Sequence, residues 1–382
     1  MREARFSTAS ALPLALRRFP FYLSRSRFFS CFSAVLPYSA SINWYRFARL
    51  YTLFLVVLIV LLRLKGENWW PSSFLIFIPP QVWLLPWFAL LYGLKKAGPR
   101  FLLPLGAALV VWAFGIAGFS LGLGARSPGE GAETLTVVTN NVGEHNGQSI
   151  RPFIKAHQPD LILYQEYIRK PQPTDFEGYH SRVYGTHVLV SRYPILDVKT
   201  IPGAVWRRSA GVVFTIDWKG RPIHVYSIHI PTARVEYTQL WKKGRPTWRQ
   251  RLRFYRDAMA KRVAIGEKLA QTFAEDPLPV IVAGDFNMPS TGYLHRYIAS
   301  RVTDAFSVAG RGFGYTFPGY DPYLPTWFGT WLRLDYIFTN NSWRPIAAKA
   351  EKGRASQHRA TLAVLEWTPP PSSPAPPLEQ DR

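Results

Sequence analysis

The chain has 382 residues, room for two or three domains, and carries 46 Lys/Arg against 24 Asp/Glu, a formal charge of +22. Hydrophobic residues make up 48% and tryptophan fills 14 positions, which is unusual for a soluble enzyme and is explained by splitting the chain into an apolar and a polar part. The only cysteine, Cys31, excludes an intramolecular disulfide framework and a cysteine-based zinc site.

Residues 1–45 are rich in Arg and Ser and nearly acid-free, a composition shared by a transit-type leader, a disordered tail and a start codon placed too far upstream. A basic disordered tail is the expectation. Residues 46–125 read as membrane, with about three transmembrane spans. The first run, residues 50–62, is bracketed by Arg49 and Arg63 and is thirteen residues long, so it needs snorkelling arginines to reach both interfaces. Residues 69–94 are uncharged but contain Pro79, Pro80 and Pro86, which fits a kinked helix or a re-entrant pair; residues 101–124 form the cleanest stretch. Three successive segments do not match a signal peptide. Eight arginines and one acid lie in residues 1–49, and Lys95, Lys96 and Arg100 occupy the second connection, whereas Glu67 partly offsets Arg63 and Lys65 in the first. The positive-inside rule then predicts a cytoplasmic N-terminus and everything after residue 125 outside the cytoplasm; were the first run not to span, the polar part would flip inside.

A linker at residues 126–133 leads to an α/β domain over 134–368, and a Pro-rich tail, residues 369–382, should be disordered. Strands are expected at 134–142, 160–166, 188–195, 211–218, 222–230, 278–283, 332–338 and 359–365, with a short helix over 149–157. The longest helix is expected over 249–273, with Leu252, Tyr255, Met259, Val263 and Ala270 near one face.

Seven residues stand at or just beyond the ends of these strands: Asn141, Glu166, His229, Asp285, Asn287, Asp335 and His358. The sequence Ala283-Gly-Asp-Phe-Asn-Met288 closes a β-branched run, and Asp285 and Asn287, two apart, point to one side if the strand pattern continues. A carboxylate beside an amide suits attack on phosphate, one orienting or deprotonating a water and the other donating to a developing oxyanion. Glu166, after a buried strand, is costly unless paired or metal-bound. Oxygen ligands of this kind suit Mg²⁺ or Mn²⁺ rather than zinc. Taken singly, Asn141 could cap a turn, His229 could be a core histidine and Asp335 could pair with Arg333.

The ordered blocks Thr139-Asn-Asn-Val, Pro159-Asp-Leu-Ile-Leu-Tyr-Gln-Glu, Leu189-Val-Ser-Arg-Tyr-Pro-Ile, Tyr226-Ser-Ile-His-Ile, Gly284-Asp-Phe-Asn, Arg333-Leu-Asp-Tyr-Ile-Phe and Ser356-Gln-His-Arg resemble the endonuclease/exonuclease/phosphatase superfamily, which includes deoxyribonuclease I and neutral sphingomyelinases. The resemblance implies a four-layered α/β sandwich, two face-to-face sheets flanked by helices. It implies Glu166 as the main metal ligand assisted by Asn141, with Mg²⁺ as cofactor and Mn²⁺ as the alternative. Asp285 would orient or deprotonate water, Asn287 would stabilise the transition state, and His358, held by Asp335, would contact the phosphate. His229 would assist at the phosphate or leaving group. Gln357 stands where the family usually has an acid, which bears on metal number.

Arg234, Lys242, Lys243, Arg245, Arg249, Arg251, Arg253 and Arg256 cluster with Trp241, Trp248 and Tyr255. Such a run suits a nucleic-acid backbone, anionic headgroups or a plain solvated face. Arg234, Arg249 and Arg333 are the expected substrate contacts. The layout resembles membrane-anchored bacterial members, and the expected activity is hydrolysis of a lipid-linked or membrane-proximal phosphate ester. A surface-tethered nuclease acting on DNA or RNA is the runner-up, and a degenerate domain binding anionic lipid or a cell-wall partner the third reading.

Overall fold

Proline placement decides how the apolar first third of the chain folds. The computed structural model describes residues 43–143, 148–167, 176–201, 205–206, 208–241, 247–320, 326 and 329–369. The expected tails at 1–42 and 370–382, and Lys242, Lys243 and Arg245, lie outside them. Helix α1 (Trp44–Leu64) meets no proline, so it extends past the thirteen-residue run to 21 residues, about 31 Å at 1.5 Å per residue. Residues 69–94, by contrast, break up. Helix α2 (Trp70–Leu75) stops ahead of Pro79, a 3₁₀ turn covers Pro80–Leu84, and α3 (Leu85–Ala97) carries Pro86 in its first turn. A helical run then covers Pro99–Ile116, with α4 (Leu102–Val111) at its centre.

Among the described residues two helices, Trp44–Leu64 and Pro99–Ile116, are therefore long and apolar enough to cross a membrane, not the three expected. Trp44 packs on Tyr92, Tyr45 on Phe101, Phe54 on Trp83, and Gly115 meets Ile59. Helix α3 thus runs antiparallel to α1, and α4 parallel to it. Their outer faces carry exposed apolar side chains, Leu53 at 57% and Leu103 at 80% among them.

The rest is a sandwich. Strands β1 (Thr134–Asn141), β2 (Leu161–Gln165), β3 (His180–Tyr184), β4 (His187–Ser191), β11 (Trp343–Ala350) and β12 (Thr361–Trp367) form one sheet in the order β11-β12-β1-β2-β4-β3. Strands β5 (Ile195–Thr200), β6 (Gly211–Trp218), β7 (Arg221–His229), β8 (Val280–Asp285), β9 (Thr303–Asp304) and β10 (Asp335–Thr339) form the other, in the order β9-β10-β8-β7-β6-β5. The expected strand 188–195 is thus two strands in different sheets, β4 and β5. Alternation along β8 shows how the layers arise: Ile281 and Ala283 face the core between the sheets, while Val280 and Val282 face helices α7 (Trp248–Glu275) and α8 (Tyr293–Ala299). Helix α5 (Arg151–His157) covers the other sheet through Ile154. Two six-stranded sheets between helices make the α/β sandwich. Helix α6 (Arg234–Trp241) precedes α7, which starts on a capping box from Thr247 and Gln250 and buries Tyr255, Met259, Val263 and Leu269 along one face.

The connector after α1 docks on α7 and α8. Ser73 Oγ lies 2.5 Å from Tyr255 Oη, Phe74 stacks on the Tyr255 ring at 4.9 Å, and the Tyr237 hydroxyl donates to the Ser73 carbonyl. Glu67, expected in a connection as an offset to Arg63 and Lys65, is buried, and its Oε2 accepts from the Leu294 backbone N–H at the start of α8.

Candidate active site

Register builds the site. In parallel pairing of β7 with β8, His229 lies opposite Asp285, and in antiparallel pairing of β8 with β10, Asp285 lies opposite Asp335. In the other sheet Asn141 ends β1 and Glu166 follows β2, while His358 precedes β12. All seven strand-end residues accordingly meet at one end of the sandwich. The close pairing of β7 and β8 needs Gly284, where a Cβ would meet the Ile228 carbonyl oxygen at 2.0 Å.

Asp285 sits at the centre and is buried. Its Oδ1 accepts from the Asn287 backbone N–H at 2.8 Å, and its Oδ2 from Asn287 Nδ2 and Asn141 Nδ2, each at 3.0 Å. Nε2 of His358 and of His229 approach the same oxygen at 3.8 and 3.9 Å. Burial raises the Asp285 carboxyl above the usual range, against the pull of His358 and His229. His358 Nδ1 contacts Asp335 Oδ2 at 2.9 Å. Burial would lower this imidazole, but Asp335 and Asp285 outweigh it and raise it to about 9, so His358 is a cation at neutral pH. The pairing of Asp335 with Arg333 is not what the structure has.

Glu166 Oε1 accepts from Asn141 Nδ2 at 3.2 Å and contacts His229 Nε2 at 3.1 Å. Burial would raise the Glu166 carboxyl, yet His229 and Asn141 hold it down at about 2. Burial would likewise lower His229, but Glu166 and Asp285 raise it. Glu166 and Asn287 both take left-handed backbone conformations, φ 52° and 51°, a local cost of about 1–3 kcal/mol each that gathers where chemistry is done. Asn287 gives its amide hydrogens to Asp285 and to the Ile230 carbonyl, 3.0 Å away. This geometry makes it a holder of the Asp285 carboxylate, whereas the sequence suggested an oxyanion donor.

The donor set suits a hard divalent cation. At Gly143 a Cβ would fall 1.9 Å from Glu166 Oε2, so only glycine leaves space for that carboxylate, and Asp335 Oδ1 is buried with no hydrogen-bond partner among the described residues. Asp285, Asp335 and His358 also form a buried group whose three ligand atoms lie within 4.8 Å of one another. Within that trio the 2.9 Å contact of His358 Nδ1 with Asp335 Oδ2 also has the form of an acid–base pair.

The substrate arginines divide. Arg234 lines the chamber above Asp285, Arg249 is exposed on the first turn of α7 and is not among the chamber's lining, and Arg333 is not available at all. Arg333 is buried and forks onto Asp304, Nη1 to Oδ1 at 3.0 Å and Nη2 to Oδ2 at 2.6 Å, with Tyr336 under the guanidinium. Asp304 lies 29 residues upstream of its partner, which is why a basic residue two before Asp335 looked like a substrate contact.

Three supports were missed. Arg262, on the buried face of α7, donates to the carbonyls of Pro231 and Asn287 and, at 3.4 Å, of Phe286, clamping the Gly-Asp-Phe-Asn turn. A cation on an apolar helical face was the available signal. Beneath the site, Thr139, Gln165, Ser227 and His187 form a buried hydrogen-bonded chain joining the two sheets, at 3.2, 3.2 and 2.9 Å. Arg354 Nη2 donates to Asn140 Oδ1 at 2.8 Å, and Asn140 Nδ2 to the His358 carbonyl at 3.1 Å, fixing the loop that carries His358.

A buried carboxylate between two imidazoles and two amides, at the end of a two-sheet sandwich, defines a hydrolase of phosphate esters. Residues 140–358 match the endonuclease/exonuclease/phosphatase family, and the chain belongs to it. Members of that family are hydrolases acting on phosphoesters and are generally dependent on a divalent metal. Among curated proteins no match is found. Similar solved structures include a family protein from Bacteroides thetaiotaomicron, 16% identical over 62% of this chain and 99% of that one, TM-score 0.43. A mannosyl-6-phosphatase from the same organism is 16% identical over 60% and 99%, TM-score 0.41. A 3′-5′ exonuclease from Neisseria meningitidis is 17% identical over 61% and 100%, TM-score 0.42. The assignment rests on the family match and not on these likenesses.

Proposed function

We propose that the chain is a membrane-anchored, divalent-metal-dependent phosphoesterase whose substrate is a lipid-linked or membrane-proximal phosphate ester. The observation that carries this reading is the fixed joint between the catalytic sandwich and two apolar helices whose outer faces are exposed. Hydrocarbon around those faces removes from water a surface that a soluble protein would hide. The chain divides, on this reading, into the tail, the helical anchor at 46–125, the linker and the catalytic domain at 134–368. Both α1 and the Pro99–Ile116 helix run towards the sandwich, with the broken segment through α3 returning between them, so Lys95, Lys96 and Arg100 fall at the far end and the positive-inside rule favours a sandwich outside the cytoplasm.

Glu166 and Asn141 would hold Mg²⁺ (or Mn²⁺), which supplies charge neutralisation at the phosphate. Asp285 accepts the proton of the attacking water as the new O–P bond forms. Asn141 and Asn287 hold its carboxylate in place. His358, kept charged by Asp335, donates to a phosphoryl oxygen, and His229 serves the departing oxygen as the P–O bond breaks. Arg234 is the remaining cation for substrate charge.

A second reading is a surface-tethered nuclease, favoured by the exposed Trp241 and Trp248, 6.3 Å apart and next to Arg249. The test offers the full chain a lipid phosphate in vesicles and duplex DNA, with Mg²⁺ and with EDTA. Mg²⁺-dependent hydrolysis of the lipid phosphate is the expected result. Cleavage of DNA alone overturns the lipid reading.

A further inference from the structure

The chamber in front of Asp285 has two unlike sides. One carries Glu166, Asp285, Asn287, Gln357 and His358. The rest of the lining is mainly apolar, with Phe77, Ala233, Phe317, Trp331, Leu332 and Leu334 around a space of about 280 Å³. The two meet at the reacting end, where the Phe317 ring lies 4.9 Å from the His358 ring. Thr232, Arg234, Tyr237 and Thr238 complete the lining beside Ala233, and among the apolar residues Trp331 Nε1–H is buried without a hydrogen-bond partner among the described residues.

Phe77 does not belong to the sandwich. It comes from the connector between the two apolar helices and packs on Tyr237 at 5.8 Å and on the Trp331, Leu332 and Leu334 cluster. Glu67, Ser73 and Phe74 hold that connector to α7 and α8. Trp331 and Leu332 also line a small cavity bounded by Leu62 and Ile116, the sandwich-side ends of both apolar helices. Trp331 and Leu332 therefore stand between the chamber and the ends of the helices.

We propose that this wall is a hydrocarbon subsite: the substrate is a membrane lipid phosphate, and the carbons next to its phosphate lie against Phe77, Phe317 and Leu332. The inference rests on the reading of the Asp285–His358 cluster as a phosphate-ester hydrolase and names the group on the ester's alcohol side. Against Phe77, Phe317, Leu332 and Leu334 a nucleobase or a sugar brings polar edges to side chains that offer no hydrogen bond, and each unmatched edge loses its hydration. A hydrocarbon chain gains from the same surface in proportion to the area it buries. Phe77 is then a specificity residue supplied by the anchor.

The test uses the full chain in lipid nanodiscs with p-nitrophenyl phosphodiesters whose second alcohol is methyl, butyl or octyl, all below their micellar concentrations. The expected result is a rise in kcat/KM of about 4-fold per methylene until the subsite fills. In Phe77→Ser the octyl-to-methyl ratio of kcat/KM should fall at least about 10-fold, the loss of about two buried methylenes' worth of contact. The change in that ratio between wild type and variant, unlike either rate or the ratio alone, is indifferent to the fraction of protein folded and to general partitioning into the disc. A flat series in the wild type overturns the subsite, as does an unchanged ratio in Phe77→Ser. Should that variant not fold, the same ratio is read in Leu332→Ser. Loss of methyl-ester hydrolysis in Asp285→Ala alongside a flat series leaves the hydrolase reading standing and removes only the subsite. No hydrolysis of any diester removes both, and a DNA oligonucleotide cleaved faster than the octyl ester overturns the lipid assignment.

Discussion

Arg262 shows what a single side chain contributes here. Its guanidinium lies between α7 and the turn that bears Asp285 and Asn287, meeting carbonyls of Pro231, Phe286 and Asn287 in a buried space. In Arg262→Leu those carbonyls lose their donors, at about 1–3 kcal/mol each where water cannot reach, and Asn287 loses the contact that fixes its left-handed backbone. We expect a markedly lower Tm together with a fall in kcat of at least about 10-fold, and partial recovery of both in Arg262→Lys, read by thermal unfolding and steady-state kinetics. An unchanged Tm with normal kcat contradicts the clamp. That the seven strand-end residues gather in one place was legible, because each stands where an apolar strand ends and strand ends of one sheet share an edge. Arg262 and the Gly143 space were not, because both act on partners far away in the chain, Glu166 being 23 and Asn287 25 positions distant.

At the level of elements, Asp304 ties three together. It caps helix α9 (Ala305–Ala309) through the backbone N–H groups of Phe306 and Ser307, contacts His295 Nε2 on α8 at 2.9 Å, and forks with Arg333 just ahead of β10. Burial would raise the Asp304 carboxyl, but Arg333 and His295 hold it far below the ordinary range. A folded pKa below the unfolded one gives stability that is present above the unfolded value, about 3.9, and lost as pH falls below it. Asp304→Asn strands a buried Arg333, and we expect a loss of about 3–5 kcal/mol at pH 7. The gap between wild type and variant should narrow as pH drops below about 4, because only the wild type has the charge to lose. Denaturant unfolding from pH 7 down to pH 3 checks this, and a constant gap contradicts it. Strands and the long helix were readable from periods of two and 3.6; the broken middle of the helical region was signalled by Pro79, Pro80 and Pro86 but was stretched into a third span. The Asp304–Arg333 pair left no local pattern at all.

On the scale of the whole molecule, the helical region is part of the catalytic unit. Tyr255 of α7 is buried against Ser73 and Phe74, residues about 180 positions earlier, and Phe77 lines the chamber itself. Composition divides the chain into apolar and polar parts, yet it could not reveal that the two share a wall, since contacts of this kind depend on the fold of both. In the proposed mechanism Asp285, held by Asn141 and Asn287 and flanked by His358, activates water for attack on phosphorus. The most direct test of this step is kcat/KM of the full chain and of Asp285→Asn on bis(p-nitrophenyl) phosphate with Mg²⁺ at pH 7. Removing a general base should cost about 10²–10⁴-fold with Tm changed little, since the isosteric amide keeps the pocket filled. Equal rates for wild type and variant would contradict the account.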